Sequence, residues 1–533
     1  MMEQQESGRL PRWTQWLVLA LTLGPIWLVS RDMWDGSIGA YGLERHLWSG
    51  IQEWLLPGNW GLMYLEFRLL DILSQASGLP AWLWLKLLLT VSVIGLAIEA
   101  RLLARDLFRF SDRDSDAASL LTLAFPCWYL LYGSTFVYVV FIWWVFLGWR
   151  LVHRSGRVDM QVIGWLLLVC SYQVNSNFVM VFALEAASWL LRGAPAGRQR
   201  VRSIAVCSSA VVVYLTLRLV FPPELQYAGY NNVVLPFSVS GLAAWARASA
   251  MFATWLPLIV LPAALGWLLS RQRAHPGWRA PLALAALCVG AVFPYIAVGK
   301  GAPLFVVALP FGWMGTAQHM GQQVTRLIYM TFDGWSTRHA ILLSLPGALT
   351  MGALASWMSA SDSLTRSARH WRLTFIAVIV VCLAINLGGQ ATKLERLAQE
   401  ESIIRALHER APPPPGRVDM VLLATLRWNL TVYEANYLFW LAYRADRWAV
   451  AAWQQQAPER REIILAEREA AITGPSPGHL HYLMGTLPAE PLCRTTLSVV
   501  LPPGLDAVDW VYDRLGLSAI PPAVVQTLTT NCP

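Results

Sequence analysis

Apolar runs near 20 residues, several of them only about 15, recur from residue 13 to 388, and they read as membrane-spanning helices. No other feature constrains the chain as much. A lipid-embedded segment must satisfy its backbone polar groups internally, which leaves helices or a closed barrel. Unbroken apolar runs, rather than alternating ones, select helices. Composition agrees. The 533 residues are 56% hydrophobic and 14% charged, against roughly 25% charged in soluble domains. Many of the 28 Trp stand at the ends of the runs, as suits a side chain that prefers the headgroup boundary.

The runs lie near 13–30, 79–99, 118–132, 136–152, 160–173, 176–191, 203–221, 246–270, 281–298, 338–358 and 373–388, which predicts about eleven spans. The first, Trp13 to Ser30, leads into Arg31-Asp-Met-Trp-Asp rather than a small-residue cleavage site, so it reads as an uncleaved span. Arg clusters occupy alternate loops: Arg101/Arg105/Arg109/Arg113, Arg150/Arg154/Arg157, Arg192/Arg198/Arg200/Arg202, Arg271/Arg273/Arg279 and Arg366/Arg369/Arg372. The turns at 133–135 and 174–175 and the loop 222–245 hold no Lys or Arg. The positive-inside rule therefore predicts an inside N-terminus and an outside tail. The same distribution accounts for the net charge of +8. With no basic run interleaved with aromatics on a soluble stretch, nucleic-acid binding is excluded as a function class.

Two expected outside loops are long, 31–78 and 299–337. The first has amphipathic pattern in Gly50–Leu56 and Leu62–Leu73, where Leu62, Leu65, Leu69, Leu70 and Leu73 recur at helical spacing. Such helices are expected to lie flat with the apolar face towards lipid. The second carries an apolar stretch, Phe305–Trp313, expected as a re-entrant or interfacial segment. The chain divides into a membrane domain, 1–390, and a C-terminal domain, 391–533. The latter reads as a small α/β unit: a charged helix Lys393–Arg410, a strand Arg417–Leu423, a helix Val432–Trp453 and a strand Leu497–Leu501. Five of the seven Cys (Cys127, Cys170, Cys207, Cys288, Cys382) fall in the runs, where a free thiol acts as a small hydrophobe. Cys493 and Cys532 lie in the tail, where an oxidising compartment would let them pair.

Three polar clusters interrupt the apolar pattern. Arg31-Asp32-Met-Trp-Asp35 follows the first run. Its two carboxylates stand three apart just outside the membrane, available to accept a proton or hold a metal ion. Ser171-Tyr172-Gln173-Val-Asn-Ser-Asn177 lies between two runs; polar groups at that depth turn in water or line a cavity. Tyr172 and Gln173 are its candidates for contacting a substrate. The third cluster is split, with Gly299-Lys300-Gly301 loosely like a phosphate-cradling loop and Arg338-His339 heading a run. An expected outside cation such as Arg338 suits a phosphate headgroup. Glu185, inside a run but two turns before Arg192, is expected near a helix end.

A first span followed at once by an outside loop with acidic residues and flat amphipathic helices, then many spans and an outside soluble domain, resembles the GT-C glycosyltransferases. Asp32-Met-Trp-Asp35, Tyr172-Gln173 and Arg338-His339 resemble, within that superfamily, the bacterial lipopolysaccharide-modifying glucosyltransferases. The resemblance implies a GT-C-like membrane domain in the bacterial inner membrane, a cytoplasmic N-terminus and a periplasmic C-terminal domain. It implies an inverting enzyme that moves a sugar from a polyprenyl-phosphate donor to an acceptor glycan, lipid or protein. An acidic residue of the first outside loop would act as general base; Asp32 and Asp35 both match that position. Arg31, Lys300, Arg338 and His339 would bind the donor phosphate, with Tyr172 and Gln173 on the substrate. Some such enzymes hold a divalent metal (Mg or Mn) through these carboxylates and others need none. Arg31, Arg45, Arg68, Arg326 and Arg338 in the outside loops keep a polysaccharide polymerase or ligase using a polyprenyl-pyrophosphate oligosaccharide as the alternative. A lipid-linked substrate transporter ranks below both, because no paired repeat is present.

Overall fold

A computed structural model describes residues 12–29, 55–56, 60–128, 136–154, 157–174, 176–192, 197–222, 233–269, 277–307, 328–330, 335–358, 364–409, 417–422, 432–444, 450–454 and 494–531. The helices are α1 (Arg12–Trp27), α2 (Gly61–Ser77), α3 (Ala81–Asp106), α4 (Asp112–Ala124), α5 (Phe136–Arg154), α6 (Val158–Ser171), α7 (Asn177–Arg192) and α8 (Gly197–Val220). They continue with α9 (Val239–Ala253), α10 (Leu256–Leu269), α11 (Arg279–Ala297), α12 (Ser344–Met358, entered through a 3-10 turn, Trp335–Leu343) and α13 (Leu364–Glu409). The tail adds β3 (Arg417–Leu422), α14 (Val432–Tyr443), β4 (Val450–Gln454), β5 (Arg494–Val500), α15 (Ala507–Arg514) and β6 (Val524–Asn531).

A helix lies over every apolar run. Five segments are long and apolar enough to cross a membrane: Ala81–Asp106, Val239–Leu268, Arg279–Ala297, His339–Trp357 and Arg369–Glu409. Shorter apolar helices occupy Tyr138–His153, Val158–Ser171, Asn177–Leu191 and Ile204–Val220. By helix length and hydropathy the chain is a multi-pass membrane protein. Its surface agrees: Val162, Ile163 and Leu166 on α6 and Val212 and Leu215 on α8 are exposed. Apolar side chains left bare at helical spacing are matched by lipid tails rather than water.

Local chemistry sets the helix ends. Ser111 caps α4 by accepting from the Asp114 amide, with Asp112 and Asp114 in the first turn, where carboxylates complement the helix dipole. The helix stops at Ala124 because Pro126 forces Phe125 into an extended conformation. It therefore spans 112–124 rather than the expected 118–132. The run 246–270 is two helices, broken at Thr254–Trp255, with α9 beginning at Val239.

Packing joins α5 to α6 through glycines. A side chain on either Gly148 or Gly164 would meet the other's carbonyl oxygen at 2.8 Å, a backbone approach that membrane helices use where apolar burial offers no drive. Several buried charges are paired. Arg150 of α5 donates twice to Glu99 of α3, at 2.7 and 2.8 Å. Glu185 of α7 sits 2.6 Å from His153 Nε2 and accepts from Trp149 Nε1 at 3.0 Å. It is thus a buried, ion-paired group in the middle of α7 rather than near its end.

α13 has 46 residues, about 70 Å at 1.5 Å per residue, while a hydrocarbon core is only about 30 Å thick. It runs without a break through residue 390 and carries the tail. Inside the bundle Asn386 donates to the Ala124 and Phe125 carbonyls, the unpaired end of α4, and Gln390 donates to the Thr22 carbonyl of α1. Beyond it, Ile403 and Leu407 share a core with Leu438, Phe439, Leu497 and Val499. Arg405 binds Asp513 at 2.7 Å and the Ile520 carbonyl at 3.0 Å. The tail sheet has the order β4-β3-β5-β6, parallel except for β5–β6.

Three expectations are corrected. The helix Val432–Trp453 ends at Tyr443, and Val450–Gln454 is a strand whose Val-Ala-Ala-Trp segment pairs with β3. Phe305–Val307 forms a short strand β1, antiparallel to β2 (Ile328–Met330). The expected interfacial segment therefore starts as a hairpin arm. Cys127 lies in the turn after α4, not in a helix. Gly50–Gln52, Cys493 and Cys532 lie outside the described residues.

Candidate functional site

The site is built where three loops meet at one end of the bundle. The turn between α6 and α7 is held by Asn177, whose amide donates to the Phe141 carbonyl at 3.1 Å and the Ser171 carbonyl at 2.9 Å. That locks Tyr172 and Gln173 in place. Tyr172 is fully buried and meets Tyr214 edge-on at 5.8 Å; its hydroxyl has no partner. Gln173 instead reaches out to α2, where its Oε1 accepts from the Leu62 amide at 3.1 Å. This amide lies in the first turn of α2, which has no intrahelical partner to bond.

From the same turn, Ser176 Oγ lies 3.1 Å from Tyr295 Oη on α11. The Tyr295 ring stacks on His339 at 4.6 Å. The His339 Nδ1 is 3.5 Å from the Gly301 carbonyl, a long contact, and the imidazole is buried. The adjoining segment is pinned to the α9–α10 break, where Trp255 Nε1 donates to the Ala302 carbonyl at 2.6 Å and the Leu304 amide donates to Thr254 at 2.8 Å.

Gly299-Lys300-Gly301 is not a phosphate cradle. Gly299 has φ +69°, its amide donates to the Ile296 carbonyl and the Lys300 amide to the Tyr295 carbonyl, both at 2.9 Å. This is a Schellman cap, which needs a left-handed residue and consumes the amides a phosphate would have used. The Lys300 side chain remains half-buried beside the site.

Of the residues singled out from sequence, Tyr172, Gln173, Lys300 and His339 therefore gather around one turn-and-cap assembly. Arg338 enters the 3-10 turn beside His339, with its side chain outside the described residues. Arg31, Asp32 and Asp35 lie outside them altogether.

Glu66 was missed. On α2, Leu65, Leu69 and Ile72 are exposed while Met63, Phe67, Leu70 and Asp71 are buried. The leucine stripe thus does not share one face: Leu65 and Leu69 point outward as expected, but Leu70 points in. Glu66 falls on the inward flank, three residues after Met63 and four before Leu70. Both its carboxyl oxygens are buried without a hydrogen-bond partner. Burial pushes the carboxyl up to about 8. The signal was available: Glu66 interrupts an apolar stripe at the i+4 position from Leu62.

No family model, curated protein or solved structure matches the chain. What its own helices carry is a mostly α-helical, multi-pass membrane protein with a small C-terminal sheet packed on its last long helix.

Proposed function

We propose that this protein is a membrane glycosyltransferase that moves a sugar from a polyprenyl-phosphate donor to an acceptor at the outer face of the membrane. The observation that supports it best is the meeting of Gln173 with the head of α2, and of Ser176, Tyr295 and His339 with one another. A backbone amide at the head of α2, side chains of the 171–177 turn, and Tyr295 and His339 on either side of the second long loop share one end of an otherwise apolar bundle. A lipid-linked substrate needs that combination: apolar flanks for its chain and polar groups for its head.

In this reading the Arg distribution places that end outside, with the C-terminal domain. The donor phosphate lies near His339, Arg338 and Lys300. Negative charge grows on it as the glycosidic bond breaks, and fixed cations favour that state. Asp32 or Asp35 takes the acceptor hydroxyl proton; such bases contribute about 10²–10⁴-fold. The acceptor oxygen bonds to the anomeric carbon from the opposite face, inverting it, and polyprenyl phosphate leaves. The test is release of polyprenyl phosphate from a polyprenyl-phosphate-linked sugar in native membranes. Wild-type membranes are expected to turn the donor over and D32N/D35N membranes, with the protein inserted at equal level, are not. Equal turnover by both rules the mechanism out.

A further inference from the structure

We infer that Glu66 binds hydroxyls of the sugar carried by the lipid donor, and so selects which sugar the protein accepts. The inference rests on the transferase reading and adds a residue and a ligand chemistry to it. Its starting point is a cost. Burying a carboxyl with neither oxygen hydrogen-bonded is unfavourable, and such groups in folded proteins call for a partner outside the chain. Glu66 has none among the described residues. Its backbone is one turn from Leu62, whose amide Gln173 ties down. Helix side chains lean towards the N-terminal turn, so the carboxyl is directed back towards the Leu62 turn that Gln173 meets.

The ligand class follows from what the carboxyl can offer. Held near 8 by burial, it keeps its proton at neutral pH, so it offers one donor and one acceptor site. A sugar hydroxyl, which donates and accepts, matches both. A phosphate lies better by the cations of the second long loop, and a metal ion would require the ionised carboxylate and further ligands. The exposed Leu65, Leu69 and Ile72 on the far side of the helix hold α2 against lipid. The polyprenyl chain can thus run along the apolar surface while its head meets Glu66.

The experiment measures equilibrium binding to the purified full-length protein in detergent. The probes are bare undecaprenyl phosphate and a panel of undecaprenyl-phosphate-linked hexoses and pentoses. Wild type is expected to bind at least one sugar-bearing lipid about tenfold more tightly than the bare lipid, the size of one or two hydrogen bonds in a buried site. Glu66→Met, similar in length and apolar, is expected to lose that preference, keep its affinity for bare lipid and melt at a higher temperature. A Glu66→Met protein that keeps the preference overturns the inference and leaves the transferase reading standing. One that does not fold overturns it too, because a carboxyl without partners is dispensable for folding. Wild-type protein that binds neither form of lipid overturns the transferase reading and this inference together.

Discussion

Glu66 ties a local structural oddity to a measurable property. Its carboxyl is raised from 4.5 to about 8 by burial, so between those values the folded chain holds a proton that the unfolded chain has released. Stability must then fall as pH rises across that window, since the state binding more protons is favoured by acid. Its contribution is fully present below pH 4.5 and gone above 8. Thermal melts of wild type at fixed salt are expected to show a falling midpoint from pH 5 to 8, and Glu66→Met a flatter profile over the same range. Sequence alone did not give up this residue, because the leucines around it drew the eye to a lipid-facing stripe. Gly299-Lys300-Gly301 misled in the opposite direction. Two glycines around a lysine suit a phosphate, but here the first is the left-handed end of α11, and its role depended on where that helix stopped. Tyr172, Gln173 and His339 were legible because polar groups at membrane depth are costly enough to demand a reason.

At the scale of elements, apolar periodicity located a helix over every run, since lipid leaves the backbone few alternatives. It was weaker wherever the end of a helix depended on a single residue or on distant contacts. Pro126 ended α4 early. The segment Val450–Gln454 joined a sheet because β3 lay beside it, although its composition also suits the end of a helix. Nor did the sequence announce that α13 would run unbroken from the bundle into the tail, because Lys393, Glu395, Arg396 and Glu400 read as the start of a soluble domain. In the structure Lys393, Arg396 and Glu400 are instead buried, with Arg396 paired to Glu400 one turn on at 2.8 Å. One continuous helix makes the tail an extension of the bundle. Thr392→Pro removes a helix hydrogen bond and clashes with the preceding turn, a cost of about 3 kcal/mol or more. Limited proteolysis of the variant is expected to release the tail from α13, while wild type resists cleavage there. Cleavage at the same rate in both proteins would show that the tail does not depend on that helix for its position.

Across the whole molecule, the positive-inside pattern and the convergence of loops are independent observations. Arg101, Arg150 and Arg372 mark one end of the bundle by sequence. Gln173, Tyr295, Lys300 and His339 lie at the C-terminal ends of α6 and α11 and in the 3-10 turn, and Arg157 and Arg279 stand at the opposite ends of α6 and α11. The basic end carries ion pairs such as Arg150–Glu99 and Arg101–Asp116, and they brace the helices there. At the other end lie the Glu66 carboxyl, without a hydrogen-bond partner among the described residues, and the buried His339 imidazole. Lipid photolabelling distinguishes the two ends. Undecaprenyl phosphate bearing a diazirine in its first isoprene units is irradiated with the purified protein, and the labelled peptides are mapped. Label is expected in 61–73, 171–177 and 295–301, competed away by unmodified lipid. Label confined to peptides at the arginine-rich end, or not competed by unmodified lipid, would contradict that expectation.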